Sequence, residues 1–282
     1  MLRDIRELEG EEYATELRRR WGGLLSYRYI GRNHSSMNTG EVDNTVRLRH
    51  DMRNSLGGLM IAPLAIASPE SGGLNDRDHV PNPLVHSCQI LDPGADVARI
   101  EVRSGQLKQG RNMAFSRSLI VDADHPERIL AMTEGQAISL GKPPDGIDKM
   151  ATPMIEVEDS PDLPPLWSIF GGAKRDDGYW ILKPLTVEFG SPDGALHLGP
   201  QHIILETAAM DFVAAIAETR ALQAVSSHVM FLARGKSGPF RADGHAYVGS
   251  NGLFGAQVIL VDEGADDRPV SSASYLFRVE SE

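Results

Sequence analysis

Apolar and polar positions change over in short bursts along most of this chain, and few stretches settle into the longer helical period. In the C-terminal half Ile203, Ile204, Ala208, Asp211, Phe212, Ala215 and Ile216 follow one helical face, so a helix is predicted over 200–220, opened by Gly199-Pro200. A shorter apolar stretch behind Gly57-Gly58 predicts a second helix over 57–68, which stops at Ser68-Pro69. Short β-branched and aromatic runs predict strands at 85–91, 95–102, 112–122 and 128–138, then at 226–232, 240–248, 253–262 and 268–279. The runs are cut by DPG (92–94), GRN (110–112), SNG (250–252) and DEGADD (262–267), turn chemistry that argues for antiparallel hairpins. One more strand candidate precedes each helix, at 42–50 and at 179–189.

The two sets of elements repeat, with corresponding landmarks 140 to 142 residues apart. Each unit reads as strand, helix, then four strands, an α+β pattern in which a helix covers one face of a sheet. The expected organisation is an N-terminal unit over 1–141, a Pro-rich linker over 142–166 in extended, solvated form, and a C-terminal unit over 167–282. Two such units can pair about a pseudo-two-fold axis, which places a site in the cleft between them.

Composition narrows the function classes. Among 282 residues, 28 basic and 39 acidic side chains leave a net charge of −11, a poor match to a nucleic-acid backbone. The one cysteine, Cys88, excludes an intrachain disulfide and any Cys-rich metal site. The longest apolar run, Leu59 to Ala67, is broken by Pro63 and is far short of the roughly 20 residues that cross a bilayer. The opening residues, MLRDIRELEGEE, offer no apolar leader core, so a cytoplasmic protein is expected.

A Gly-Gly turn entering a buried helix, strands ending LDPG (91–94) and LARG (232–235), strands ending in Val-Asp at 121–122 and 261–262, and a last strand of small residues together resemble the hotdog fold. The resemblance covers about 42–141 and 179–280 and is greatest to double-hotdog acyl-CoA thioesterases of the phenylacetate and medium-chain types. It implies two antiparallel sheets, each wrapped round a central helix, and hydrolysis of an acyl thioester in the cleft between halves. AAMDFV (208–213) and SSHVMF (226–231) resemble the medium-chain type, which implies Asp211 as the helical carboxylate, Ser226 or Ser227 as the strand hydroxyl, and Tyr275 where that type carries a glutamine. The Gly57/Gly58 turn would donate to the oxyanion. At the acid position of the phenylacetate type the first half has Ala65 and the second Thr207, with Glu206 beside it, so one active cleft is expected. Thr207 and Asp211 are one turn apart and share a helix face, so both can act on one water.

Lys108, Arg111 and Lys236 are the cations singled out to receive the phosphates of coenzyme A, which enters as part of the substrate rather than as a separate cofactor. Gly235-Lys236-Ser237 lacks the upstream glycine of a nucleotide-binding loop and reads as a turn. His202 and Glu206 have a metal-ligand spacing without an identifiable third ligand, so no metal is expected. Trp167, Phe170 and Trp180 read as packing residues. Two alternatives remain open: a non-catalytic acyl-thioester-binding protein, because the first helix lacks an acid, and a hotdog enoyl-CoA hydratase, suggested by Asn82-Pro83-Leu84-Val85-His86. A homodimer of double-hotdog chains is a further expectation.

Overall fold

The computed structural model describes residues 3–31, 43–69, 74, 79–142 and 153–280. Two helices that the charge-alternating N terminus did not announce come first, α1 (Gly10–Gly23) and α2 (Leu25–Ile30). The first repeat supplies β1 (Thr45–Arg47), α3 (Ile61–Ala67), β2 (Pro81–Ile90), β3 (Arg99–Gln109), β4 (Met113–Asp122) and β5 (Ile129–Ser139). The second supplies α4 (Leu166–Ile169), β6 (Gly172–Lys174), β7 (Trp180–Leu182), α5 (Leu198–Ala217), β8 (Leu222–Phe231), β9 (Phe240–Val248), β10 (Leu253–Asp262) and β11 (Arg268–Val279).

The eleven strands among the described residues form one sheet in the order β1-β3-β4-β5-β2-β8-β11-β10-β9-β7-β6, every pair antiparallel. The expectation of two sheets is corrected here. The innermost strands β2 and β8 pair along Val85–Gln89 and Met230–Ser226, so neither leaves a bare edge at the junction. Outward from that seam both halves run in the same order, β2-β5-β4-β3-β1 and β8-β11-β10-β9-β7.

The two central helices lie on the same side of this sheet. α5 packs on β9, β10 and β11, α3 on β2, and the helices pack on each other. One hydrophobic core runs through both halves, from Val46 to Phe277, while Ile5, Leu8, Tyr13, Leu17 and Trp21 form a small separate cluster with α1. α3 starts four residues later than the sequence suggests, because Gly57 is in the left-handed region at φ +80° and the chain reaches Met60 still extended. The expected strand at 179–189 shrinks to Trp180–Leu182 ahead of Pro184. Within the linker, 143–152 lies outside the described residues. The part from 153 to 165 has no helix or strand yet is not simply solvated, since Ile155 and Val157 pack on the core and the Ile155 N–H donates to the Arg28 carbonyl at 2.9 Å. No helix among the described residues is long and apolar enough to cross a membrane.

Candidate functional site

α5 is apolar nearly all round, and the acid it turns inward is Glu206. Its two carboxylate oxygens cross between the repeats to the start of α3, accepting from the Ile61 N–H at 2.8 Å and the Ala62 N–H at 2.6 Å. These are donors that a helix start leaves without intrahelical partners. Glu206 is fully buried, and burial outweighs the two N–H groups and pushes its carboxyl up to about 7. In the sequence Glu206 stood out only as the neighbour of Thr207 and by its spacing from His202.

On the sheet beneath, a row of inward side chains crosses the seam: Cys88 on β2 faces Ser227 on β8, and Ser227 faces Tyr275 on β11. All three are buried, and the Ser227 hydroxyl has no hydrogen-bond partner among the described residues. Burial raises the Tyr275 phenol and the Cys88 thiol, and the negative charge of Glu206 raises both further, so the carboxylate acts directly on this row. One turn earlier on α5 is His202, its ring 5.3 Å from His86 and 5.6 Å from Phe231; burial, then the charges of His86 and His197, keep it neutral. Among the described residues no group of three potential ligands can hold a metal ion.

Asp211 and Thr207 line a chamber of about 450 Å³ between the repeats. Its apolar surface comes from Met60, Leu163, Leu166, Trp167, Trp180 and Met210, and its polar rim includes His50, Arg53 and Arg220. Trp180 belongs to the core and Trp167 packs against it, as expected, and both also line this chamber, their rings 5.0 Å apart and edge-on. Met60 and Thr207, the sequence neighbours of Ile61 and Glu206, line this chamber, whereas Ile61, Ala62 and Glu206 themselves do not. A more polar chamber of about 550 Å³ adjoins it and shares His50, Arg53, Asn54 and Ser55.

Asp211 accepts from Lys174 Nζ at 2.6 Å, Arg220 Nη2 at 3.2 Å and Trp180 Nε1 at 3.3 Å. Partial burial alone would push its carboxyl up, but the Lys174 and Trp180 donors, then Arg220, hold it below the usual carboxylate range. The Thr207 hydroxyl donates to the Ile203 carbonyl at 2.7 Å, within its own helix, which replaces the expected pairing with Asp211.

The glycine turn is also committed. The Gly58 N–H donates to Asn54 Oδ1 at 3.0 Å and the Gly57 N–H to the Asn54 carbonyl at 3.0 Å, so neither points a spare donor at the chamber. A Cβ at Gly58 would displace the Gln223 side-chain oxygen. The Gly235-Lys236-Ser237 turn holds an internal anion instead of a phosphate. The N–H groups of Lys236, Ser237 and Gly238 donate to the Asp262 carboxylate at 3.0, 3.1 and 2.7 Å, and Lys236 Nζ pairs with Asp4 at 3.2 Å. Lys108 and Arg111 are exposed at the β3–β4 hairpin. That hairpin lies at the same sheet end as Lys236, but β5 and β2 separate β4 from β8, so the three cations do not form one cluster.

No family model matches the sequence, and no curated protein matches it. Solved structures do match. They include a protein of unknown function with a hotdog fold from Alicyclobacillus acidocaldarius, at 12% identity and a TM-score of 0.55, covering 84% of this chain and 93% of that one. The TesB protein of Mycobacterium avium subspecies paratuberculosis matches at 15% identity and a TM-score of 0.58, over 89% of this chain and 99% of that one. The acyl-CoA thioesterase II TesB2 of Mycobacterium marinum matches at 13% identity and a TM-score of 0.55, over 86% and 96%. This chain therefore has the hotdog fold.

Proposed function

We propose that the chain is a double hotdog related by a pseudo-two-fold axis and that it hydrolyses an acyl-CoA or related acyl thioester, with Glu206 as general base. The observation that carries this reading is a fully buried carboxylate with its carboxyl near 7 that holds two backbone donors, acts on the Cys88 and Tyr275 that flank Ser227 in the sheet, and is next in sequence to Thr207 of the apolar chamber. A base poised near the working pH is the one best matched to drawing a proton from water. The name of the Mycobacterium marinum neighbour, an acyl-CoA thioesterase II, supports the same class. The acyl group occupies the apolar chamber, and the polar arm of the thioester enters the adjoining one past His50 and Arg53. Lys108 and Arg111 reach only a nucleotide that extends to the sheet end.

The chemistry follows one unit of negative charge. Water attacks the thioester carbonyl carbon and gives its proton to Glu206, so the charge leaves the carboxylate and appears on the carbonyl oxygen. The Ile61 and Ala62 N–H groups then lose their charged acceptor and can donate to that oxygen instead. Collapse breaks the C–S bond, and the departing thiolate takes the proton back from Glu206. Asp211, already bound by two cations and an indole N–H, is the weaker base of the two. A second reading, binding without hydrolysis, is favoured by one observation: Glu206 already fills both N–H groups and is shut off from solvent.

Thiol release measured across short, medium, long and aromatic acyl-CoAs separates these readings. Turnover is expected to rise with pH through about 7, and Glu206→Gln is expected to lose about 10² to 10⁴ of it. Binding of every acyl-CoA with release from none supports the second reading. Full activity in Glu206→Gln alongside its loss in Asp211→Asn returns the base role to Asp211, and hydration of an enoyl-CoA supports the hydratase alternative.

A further inference from the structure

Trp180 has one polar atom, and that atom is spent on Asp211. The same carboxylate gathers Lys174 from β6 and Arg220 from the turn after α5, so it ties the Trp180 ring to two neighbouring elements. Trp167, carried by α4, rests edge-on against Trp180 at 5.0 Å, so the position of one ring fixes that of the other. Both rings line the chamber, together with Met60 from the other repeat and Met210. A chamber of about 450 Å³ falls in the lower part of the roughly 300–1,000 Å³ range of small-molecule sites, where the loss or shift of one indole changes the accessible depth most.

We propose that Trp167 and Trp180 form the wall that sets which acyl groups the chamber accepts, and that Asp211 is the positioning residue that holds Trp180 in that wall. The inference rests on the reading of the chamber as the acyl site of a thioester. It assigns the ion-paired acid of α5 to selectivity rather than to proton transfer. The geometry separates two ways in which Asp211 can matter. If it acts through Trp180, an asparagine, whose side-chain oxygen still accepts from the indole N–H, preserves the wall. If it acts only by neutralising Lys174 and Arg220, an asparagine fails as badly as an alanine.

The test uses the full chain with S-alkyl-CoA thioethers of increasing length, which cannot be hydrolysed, and follows binding by calorimetry and by tryptophan fluorescence. Two of the three tryptophans line the chamber, so the signal reports on it directly. The wild type is expected to bind with rising affinity up to a limiting chain length and to lose affinity beyond it. Asp211→Ala and Trp180→Leu are expected to move that limit outward, with a gain of about tenfold for the first chain beyond it, the scale at which an apolar pocket discriminates one methylene. Asp211→Asn is expected to keep the wild-type limit. With hydrolysable thioesters, Asp211→Ala is expected to lower KM for the longer chain by more than it changes kcat.

The same limit in all four proteins, or Asp211→Asn following Asp211→Ala, overturns the proposal. Trp167→Leu repeats the reading if Asp211→Ala does not fold. A wild type that binds thioethers within a length limit but releases no thiol from any thioester sinks the hydrolase reading and leaves this inference standing. A wild type whose fluorescence responds to no thioether overturns the inference itself.

Discussion

Glu206 and Asp211 lie five positions apart on α5, and their carboxyls are driven in opposite directions. Glu206 has no cation and only two backbone donors, so desolvation wins and its carboxyl rises from 4.5 to about 7. Asp211 sits where Lys174, Trp180 and Arg220 converge, so its charged form is favoured. The consequence for stability has opposite signs. For Glu206 the folded state holds its proton more tightly than the unfolded chain does. Its contribution is therefore full below about 4.5 and is lost as pH rises through about 7, a change of about 3 kcal/mol at roughly 1.4 kcal/mol per pH unit. For Asp211 the contribution is present above the unfolded value and lost as pH falls. Denaturant unfolding between pH 4 and 8 checks the larger effect, since wild-type stability is expected to decline over that window relative to Glu206→Gln. Parallel pH profiles for the two proteins would show that Glu206 ionises as it does in the unfolded chain.

The strands at 240–248, 253–262 and 268–279 match β9, β10 and β11 to the residue, because turn residues stop each run at both ends. β3 was less legible. Its second half, from Arg103 to Gln109, is exposed and carries no apolar alternation, so only hydrogen bonding to β4 reveals it. The failure at the site has a related cause. A helix that is apolar on nearly every side has no polar face to say which acid turns inward, so Asp211 could be picked out among its apolar neighbours while Glu206 was hidden. Ser227, offered beside Ser226, and Tyr275 were named through the family resemblance alone, and strand pairing sets the two opposite each other on β8 and β11. At Gly235-Lys236-Ser237 the sequence shows a turn but not its occupant, for Asp262 lies at the far end of β10. That carboxylate is buried and binds three N–H groups, so Asp262→Ala strands three donors at once. A loss of about 2 to 4 kcal/mol is expected by chemical denaturation, given roughly 1 kcal/mol or more for each partly buried donor left unpaired. A loss below about 0.5 kcal/mol would mean that water replaces the carboxylate without cost.

The repeat suggests two independent units, but the structure joins them at every layer. The sheet is continuous through β2 and β8, α3 packs on α5, the core includes residues of both repeats, and Glu206 satisfies backbone donors that belong to the other half. The chamber likewise takes Met60 from one repeat and Thr207, Met210 and the two tryptophans from the other. Cutting between the repeats would expose the unpaired edges of β2 and β8, the facing sides of two apolar helices, and a buried carboxylate without its donors. Exposed strand edges and apolar helix faces promote association rather than independent folding. Fragments 1–141 and 167–282, expressed separately, are therefore expected to lack a cooperative thermal transition, and mixing them or expressing them together is expected to restore one along with acyl-CoA binding. Circular dichroism melts of each fragment and of the mixture check this. A sharp transition in either fragment alone would show that the helix–sheet layer of one repeat closes its own core, and that the seam joins two prefolded bodies. In that case Glu206 would act as a contact formed after folding, and its pH-dependent contribution would appear only in the melt of the mixture.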